Sequence, residues 1–415
     1  MDSCAVYIGD FDFRNENVQA HLVKNNGKVL NSLGYHVEYI GINRKESSFE
    51  TVASLPLLQL NDENHYLELP ETLNVAGLFK SSKICRIIID KLNEIKKTYD
   101  LSYVITYQSP TYAVAIKRVA TWCKKNNVPY IVNCADLPIF DLQSPIRKTV
   151  MKLNWNYMHN VNRKYADGVI AVSKFIAEFY SKPGRASVVI PPLFDVAETR
   201  SQIPPNKTAT FIYAGIPFKT TGHEASPQGM KDRLDKVIDL FIELSKKGVN
   251  YIFDIVGISI EEYLVGVPRH AEFLLREDKI LFWGKKSHAD TLNMIAQADF
   301  SINYRDENLM TKAGFSTKIV ESISVGTPVI INSISDTFIY LKDGSDAFML
   351  SGDCEIDIIK LETLCALTQE ERKNLKQTLL KKKIFDKEAY LNSMSLFLNS
   401  LNVRKGYGSD DDRLC

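Results

Sequence analysis

The sequence predicts an α/β fold made of two successive doubly wound domains. Three observations carry that reading. Short apolar runs ending near glycine alternate with helical patterns along most of the 415 residues. The alternation breaks once, in a polar stretch at 191–208 flanked by Pro191, Pro192, Pro204 and Pro205, and then restarts. At roughly 100–200 residues per domain the chain holds about two or three, each able to bury a core.

The first strand reads Ala5-Val6-Tyr7-Ile8-Gly9, followed by a helical pattern from Val18 to Leu33 that Gly34 closes, and by a strand at 36–40. Strand 103–107, helix 111–125, strand 130–133 and strand 168–172 repeat the theme, and Ser173 is suited to cap a helix running to Tyr180. Beyond the linker come strand 210–214, ending at Gly215, a helix over 232–247, strand 251–256, ending at Gly257, and strand 280–284. Helix 288–297, strand 299–303, helix 317–325 and strand 329–332 complete the series. The domains are thus expected at 1–195 and 205–385, followed by an amphipathic helix over 386–403 and a polar flexible tail over 404–415 with Asp410, Asp411 and Asp412.

Composition narrows the function. Lys+Arg total 51 against Asp+Glu 50, a formal charge of +1, which argues against whole-protein attraction to nucleic acid. No apolar run approaches the ~18 residues that span a bilayer, and Met1-Asp2-Ser3-Cys4 has no basic start or apolar stretch of a secretory signal. The seven cysteines are scattered with no Cys-x-x-Cys, which points to reduced thiols and a cytoplasmic location. The seven histidines include no His-x-x-x-His, so no metal site is expected. A nicotinamide oxidoreductase is disfavoured, because no Gly-x-Gly-x-x-Gly opens a strand–helix unit.

The most informative stretch runs from Lys312 to Ile330. Gly314 permits an unusual turn, Ser316 or Thr317 can cap the next helix, and Ile319, Val320 and Ile323 form its apolar face. Gly326 stops the helix and Pro328 leads into a buried strand. A helix starting at a strand's carboxyl end aims free N–H groups and its positive dipole end at the ligand crevice, which suits a phosphate. Glu321, one turn in, can accept two hydrogen bonds from a vicinal diol such as a ribose.

This segment resembles the retaining GT-B glycosyltransferases of the group 1, GT4-like type, in a variant like those of bacterial surface-polysaccharide clusters. Their signature is Glu-x7-Glu followed by small residue–Gly–x–Pro–Val–Ile. Glu321 matches the second acid and Gly326, Pro328, Val329 and Ile330 the tail, while Ala313 stands in place of the first acid. The resemblance implies a GT-B fold: two Rossmann-like doubly wound domains facing a central cleft, with no metal and no cofactor beyond a nucleotide-sugar donor. It implies that Glu321 holds the ribose and that Ser316, Thr317 and Lys318 lie at the diphosphate. Gly215 with Lys231 resembles the family's glycine turn and phosphate-binding lysine; Ile216 replaces the usual arginine, leaving Lys219 or Arg233 to supply the second charge. Trp283 and Gly284 stand where relatives hold the base, and Arg305 follows strand 299–303 within reach of the donor. On the acceptor side the resemblance points to Asp10 and Asp136.

The implied reaction moves a sugar from a nucleotide donor to a hydroxyl of a saccharide or lipid-linked saccharide, with retention, in polysaccharide biosynthesis. Between Asp141 and Asp167 there is no acid, and Arg147, Lys148, Lys152, Arg163 and Lys164 are interleaved with Trp155 and Tyr157, a pattern suited to peripheral contact with anionic lipid on the inner membrane face. A second basic stretch spans 80–97. Nucleic acid is not an expected partner. Two other readings stay open: a non-catalytic nucleotide-sugar-binding subunit that partners an active enzyme, which Ala313 favours, and a GT-B sugar-nucleotide epimerase.

Overall fold

A computed structural model describes the chain except residues 47, 57, 59, 61–64, 71–74, 109–112, 138–144, 196–206, 220, 221, 227, 228, 231 and 408–415, and gives the backbone alone for 75–81, 145–147 and 402–407. It contains two compact units, Met1–Leu193 with Lys387–Cys415, and Phe194–Asp386.

The first unit is a parallel sheet of β1 (Ser3–Gly9), β2 (His36–Asn43), β3 (Tyr66–Pro70), β4 (Asp100–Tyr107), β5 (Tyr130–Cys134), β6 (Gly168–Ala171) and β7 (Ala186–Val189). Its order is β3-β2-β1-β4-β5-β6-β7. Cys4, Ala5, Val6 and Tyr7 of the central β1 are fully buried, as a strand covered on both faces requires. Helix Lys174–Phe179 starts where expected, with Ser173 Oγ accepting from Ile176 N at 3.3 Å.

The second unit repeats the plan with β8 (Thr210–Ala214), β9 (Ile252–Val256), β10 (Ile280–Phe282), β11 (Phe300–Asn303), β12 (Val329–Asn332) and β13 (Ala347–Leu350), in the order β10-β9-β8-β11-β12-β13. Its core is aromatic: Phe211, Phe241, Phe253 and Phe300 are fully buried, and the Phe241 and Phe253 rings stack at 4.3 Å. Lys376 is also buried in this unit; its ammonium donates to Ala296 O at 2.7 Å and to Ala298 O at the end of helix His288–Gln297. Burial pushes Lys376 down to about 8, against the opposing pull of Asp299.

Three strands were not visible in the sequence, and all three are sheet edges: β3, β7 and β13. An edge strand is short and partly solvated, so it lacks the continuous apolar run by which central strands are recognised. β3 even ends in Pro70, which an edge tolerates because one side makes no ladder bonds.

Helix Leu391–Tyr407 packs on the first unit. Met394, Phe397, Leu398 and Leu401 are buried, whereas Leu396 is 62% exposed. A Cβ at Gly168 would collide with the Phe397 ring, and Tyr103 Oη donates to Leu398 O at 3.3 Å. Deleting 386–415 should therefore lower the melting temperature sharply, while deleting 406–415 should not. Equal melting temperatures for the two truncations would contradict this packing.

His159 supplies a pH signature. It lies on helix Pro145–Tyr165, 8% exposed, stacked on Trp155 at 4.9 Å and hydrogen-bonded through Nδ1 to the Tyr180 hydroxyl. Burial, helped by the charge of Arg163, brings its pKa from 6.5 down to about 4. Between those values the unfolded chain binds a proton that the folded chain refuses, so stability falls as pH drops from 6.5 to about 4 and levels off below. The contribution is at most about 3 kcal/mol. His159→Gln should flatten the slope in that window, read by denaturant titration at several pH values; an unchanged slope would show that the imidazole is not kept neutral.

Candidate functional site

In both sheets, neighbouring strands run in chain order away from a reversal, between β1 and β4 in the first and between β8 and β11 in the second. Open α/β sheets bind ligands at that reversal, outside the carboxyl ends of the strands. Several of the residues singled out by sequence lie at these carboxyl ends.

At the second edge, three glycines end three adjacent strands with positive φ: Gly215 at 151°, Gly257 at 113° and Gly284 at 63°. Gly215 N donates to Val256 O and Gly257 N to Gly284 O, each at 2.8 Å. The approach is close enough that a Cβ on Gly257 would collide with the Gly215 carbonyl, and one on Gly215 with the Lys318 ammonium. Glycine at 215 and 257 thus keeps a bare backbone surface beside a cation.

That cation belongs to a buried cluster. Asp232 is fully buried; its Oδ1 accepts from Arg305 Nε at 2.7 Å, and its Oδ2 accepts from Lys318 Nζ and, at 2.9 Å, from the Tyr213 hydroxyl. Burial alone would raise the Asp232 pKa, but the charges and hydrogen bonds of Lys318 and Arg305 outweigh it and hold the carboxyl well below its usual range. Two cations around one carboxylate leave a net positive charge at the β8/β11 reversal. Asn332 pins the loop carrying Arg305, with its Oδ1 accepting from Arg305 N at 3.0 Å and its Nδ2 donating to Arg305 O at 2.6 Å.

Helix Thr317–Ser324 begins at the same edge, with Ser316 as its N-cap residue but no side-chain capping bond. Among the described residues, Ser316 Oγ and Asn303 Nδ2 are buried without a hydrogen-bond partner, and both residues line one cavity of about 20 Å³ with Arg305 and Asn332. Such a cavity holds about one water. Buried polar atoms are normally satisfied, and one water in this cavity is placed to serve both. Glu321, one turn along, has a side chain 24% exposed, and His288 Nε2 lies 3.3 Å from its Oε1. His288 is itself 56% exposed, so a ligand can displace it from the carboxylate.

The remaining sequence candidates divide. Trp283 is 45% exposed and donates from Nε1 to Asp254 Oδ1 at 2.7 Å, which fixes the indole at the end of β10 beside Gly284. Lys219 is exposed. Arg233 departs from its expected role as a phosphate contact: it is 9% exposed and its guanidinium is taken up by Asp235, at 2.9 and 2.8 Å, and by Asp306. The cause is position, since the residue is the N-cap of helix Leu234–Lys246, next to Asp235 of its first turn and to Asp306 in the loop after β11. Arg305 was expected to contact the donor, and its first partner is instead Asp232. Lys231 lies outside the described residues.

At the first edge, Asp10 follows β1, is 9% exposed, and its Oδ1 accepts from Arg44 at 2.9 Å. Gln108, after β4, accepts from Ala135 N at 3.1 Å and Asp136 N at 3.3 Å and donates back to Asp136 O, so one side chain sets the loop after β5 and leaves Asp136 exposed. Asp232, Tyr213, His288, Asn303, Gln108 and Arg44 were not singled out; the signal that could have found them is their position at or just past the carboxyl end of a strand, or beside the start of the next helix.

No family model matches the chain, and no curated protein matches it. Solved structures do. Sucrose-phosphate synthase from Thermosynechococcus elongatus superposes with TM-score 0.60 at 14% identity, covering 97% of this chain and 100% of that one. Anabaena HepE in complex with UDP and glucose gives 0.59 at 12% identity, covering 96% and 100%. The lipopolysaccharide outer core galactosyltransferase WaaB gives 0.57 at 13%, covering 95% and 99%. The fold is GT-B, two Rossmann-like α/β domains, as in these glycosyltransferases. Among the described residues, no helix is long and apolar enough to cross a membrane.

Proposed function

We propose that the protein is a glycosyltransferase that moves a sugar from a nucleotide donor to a hydroxyl of a saccharide or lipid-linked saccharide, with retention, in polysaccharide biosynthesis. One observation carries the reading: at the β8/β11 reversal, a cationic cluster, bare glycine backbone and the start of the Glu321 helix converge. These are the parts that hold a nucleoside diphosphate, with cations and helix N–H groups on the diphosphate and a carboxylate on the ribose. HepE was crystallised with UDP and with UDP-glucose, which supports a nucleotide-sugar donor for this fold.

As the glycosyl bond breaks, negative charge collects on the diphosphate, and fixed cations stabilise it by several kcal/mol in order of magnitude. Lys318, Arg305 and Lys231 are the groups assigned to that task, and Ser316 with Thr317 opens the helix toward it. In a front-face reaction the departing phosphate oxygen takes the acceptor proton, so the chain needs no dedicated base. Asp10 and Asp136 are assigned to the acceptor. Ala313, fully buried, stands in place of the first acid of the related motif, so donor-sugar contacts fall to other groups. The test is nucleotide release from a panel of nucleotide sugars, with and without saccharide acceptors. Acceptor-dependent release is expected; binding without release would favour a non-catalytic subunit, and conversion into a second nucleotide sugar without acceptor and without net nucleotide release an epimerase.

Peripheral attachment to an anionic inner membrane face is part of the proposal. On helix Pro145–Tyr165, Val150, Leu153 and Tyr157 are exposed alongside Lys148 and Lys152. Replacing Arg147, Lys148 and Lys152 by Glu should abolish flotation with anionic vesicles and spare activity on a soluble acceptor. Unchanged flotation would mean an ordinary solvated face.

A further inference from the structure

The first sheet carries, at its amino end, a cluster that no sequence motif announces. His36 and Glu38 stand two apart on β2 and so project from the same face. Tyr39 pairs with Tyr66 in the parallel ladder, which sets His65, the residue before β3, beside Glu38. The three side chains meet. Glu38 Oε1 lies 2.9 Å from His36 Nε2 and 2.8 Å from His65 Nδ1, and one ligand atom from each residue falls within 4.8 Å of the other two. The Glu38 side chain is 5% exposed, that of His36 13% and that of His65 71%, so the cluster is rooted in the sheet and open on one side. His36 is further oriented by a stack on Tyr99, at 4.5 Å and 15°.

We propose that His36, Glu38 and His65 form a binding site for a divalent transition metal, best matched by zinc. Two imidazole nitrogens and one carboxylate oxygen are a donor set that zinc takes in three-ligand sites, with water in the fourth position. Calcium and magnesium seek oxygen-rich sites and are poorly served here. Tetrahedral bonds of about 2.0–2.1 Å separate ligand atoms by roughly 3.4 Å. The two distances to Glu38 Oε1 need about half an ångström of opening, which the exposed His65 side chain and a small turn of the carboxylate can supply. The ion would tie edge strand β3 to β2, at the end of the sheet away from Asp10, and so fasten a strand that has a neighbour on one side only. It is a structural site, independent of the sugar-transfer chemistry.

The experiment uses the full untagged chain, stripped with chelator and then titrated with zinc chloride by calorimetry and with cobalt chloride by visible absorption. One saturable site is expected, with the intense visible bands of four-coordinate cobalt and a melting temperature that rises with zinc. His65→Ala should weaken binding at least tenfold and remove the thermal shift; being exposed, His65 can be truncated without loss of fold. His36→Gln should also weaken binding at least tenfold. His223→Ala, an exposed histidine outside the cluster, should bind as wild type does. Absence of saturable uptake by the wild type, or equal uptake by wild type and His65→Ala, overturns the proposal.

Discussion

Glu321→Gln should weaken the binding of a free nucleoside diphosphate about 10–150-fold while leaving the fold intact. The carboxylate lies on a helix whose apolar side, Ile319, Val320 and Ile323, is buried independently of it. The amide keeps the shape but exchanges a charged double acceptor for a neutral oxygen and a donor. Hydrogen bonds to charged groups contribute about 1.5–3 kcal/mol, which converts to that range at 1.4 kcal/mol per tenfold. Isothermal calorimetry of both proteins measures it directly. Loss of the His288 contact should matter little, because an ion pair this exposed is worth under about 1 kcal/mol.

Asp232→Asn should be the most destabilising polar substitution in the second unit. Asp232 is fully buried between Lys318 and Arg305, whose side chains are 21% and 14% exposed. Removing its charge leaves two cations crowded together without a counter-charge. Breaking a buried ion pair from one side costs about 3–5 kcal/mol, which for a unit of this size lowers the melting temperature by on the order of 10 °C. Because the folded carboxyl titrates well below its unfolded value, its contribution is complete at neutral pH and fades only in strong acid, as pH falls through the folded pKa. A nucleoside diphosphate should recover part of the lost stability in the variant by supplying the missing negative charge. A fall below 1 °C would show that solvent already screens the cluster.

The contrast between these two residues shows what the sequence could and could not reveal. Glu321 was legible because its setting is local: loop, helix, Gly326 stop and Pro328 follow one another within one unit of chain. The partners of Asp232 lie 73 and 86 residues away, and nothing in their own neighbourhoods announces the pairing. The partners of Arg233 are hidden from the sequence for the same reason. A cation beside a glycine turn suits a phosphate, yet Asp235 and Asp306 claim it once the chain folds. Central strands were found by their apolar runs, and the edge strands β3, β7 and β13 were not. The meeting of His36, Glu38 and His65 depends on ladder register, which sequence spacing does not encode.

The central claim is that the carboxyl edge of the second sheet is a nucleotide-sugar site with Glu321 on the ribose. The most direct test compares a nucleoside diphosphate with its 2′,3′-dideoxy counterpart, each titrated calorimetrically into wild type and Glu321→Gln. If the account holds, removing the ribose hydroxyls weakens binding to the wild type, and the dideoxy compound binds both proteins almost equally. If the substitution weakens the dideoxy compound as much as the ribose compound, or leaves the ribose compound bound as tightly as in wild type, Glu321 does not hold the ribose and the assignment of this edge to a nucleotide sugar is contradicted.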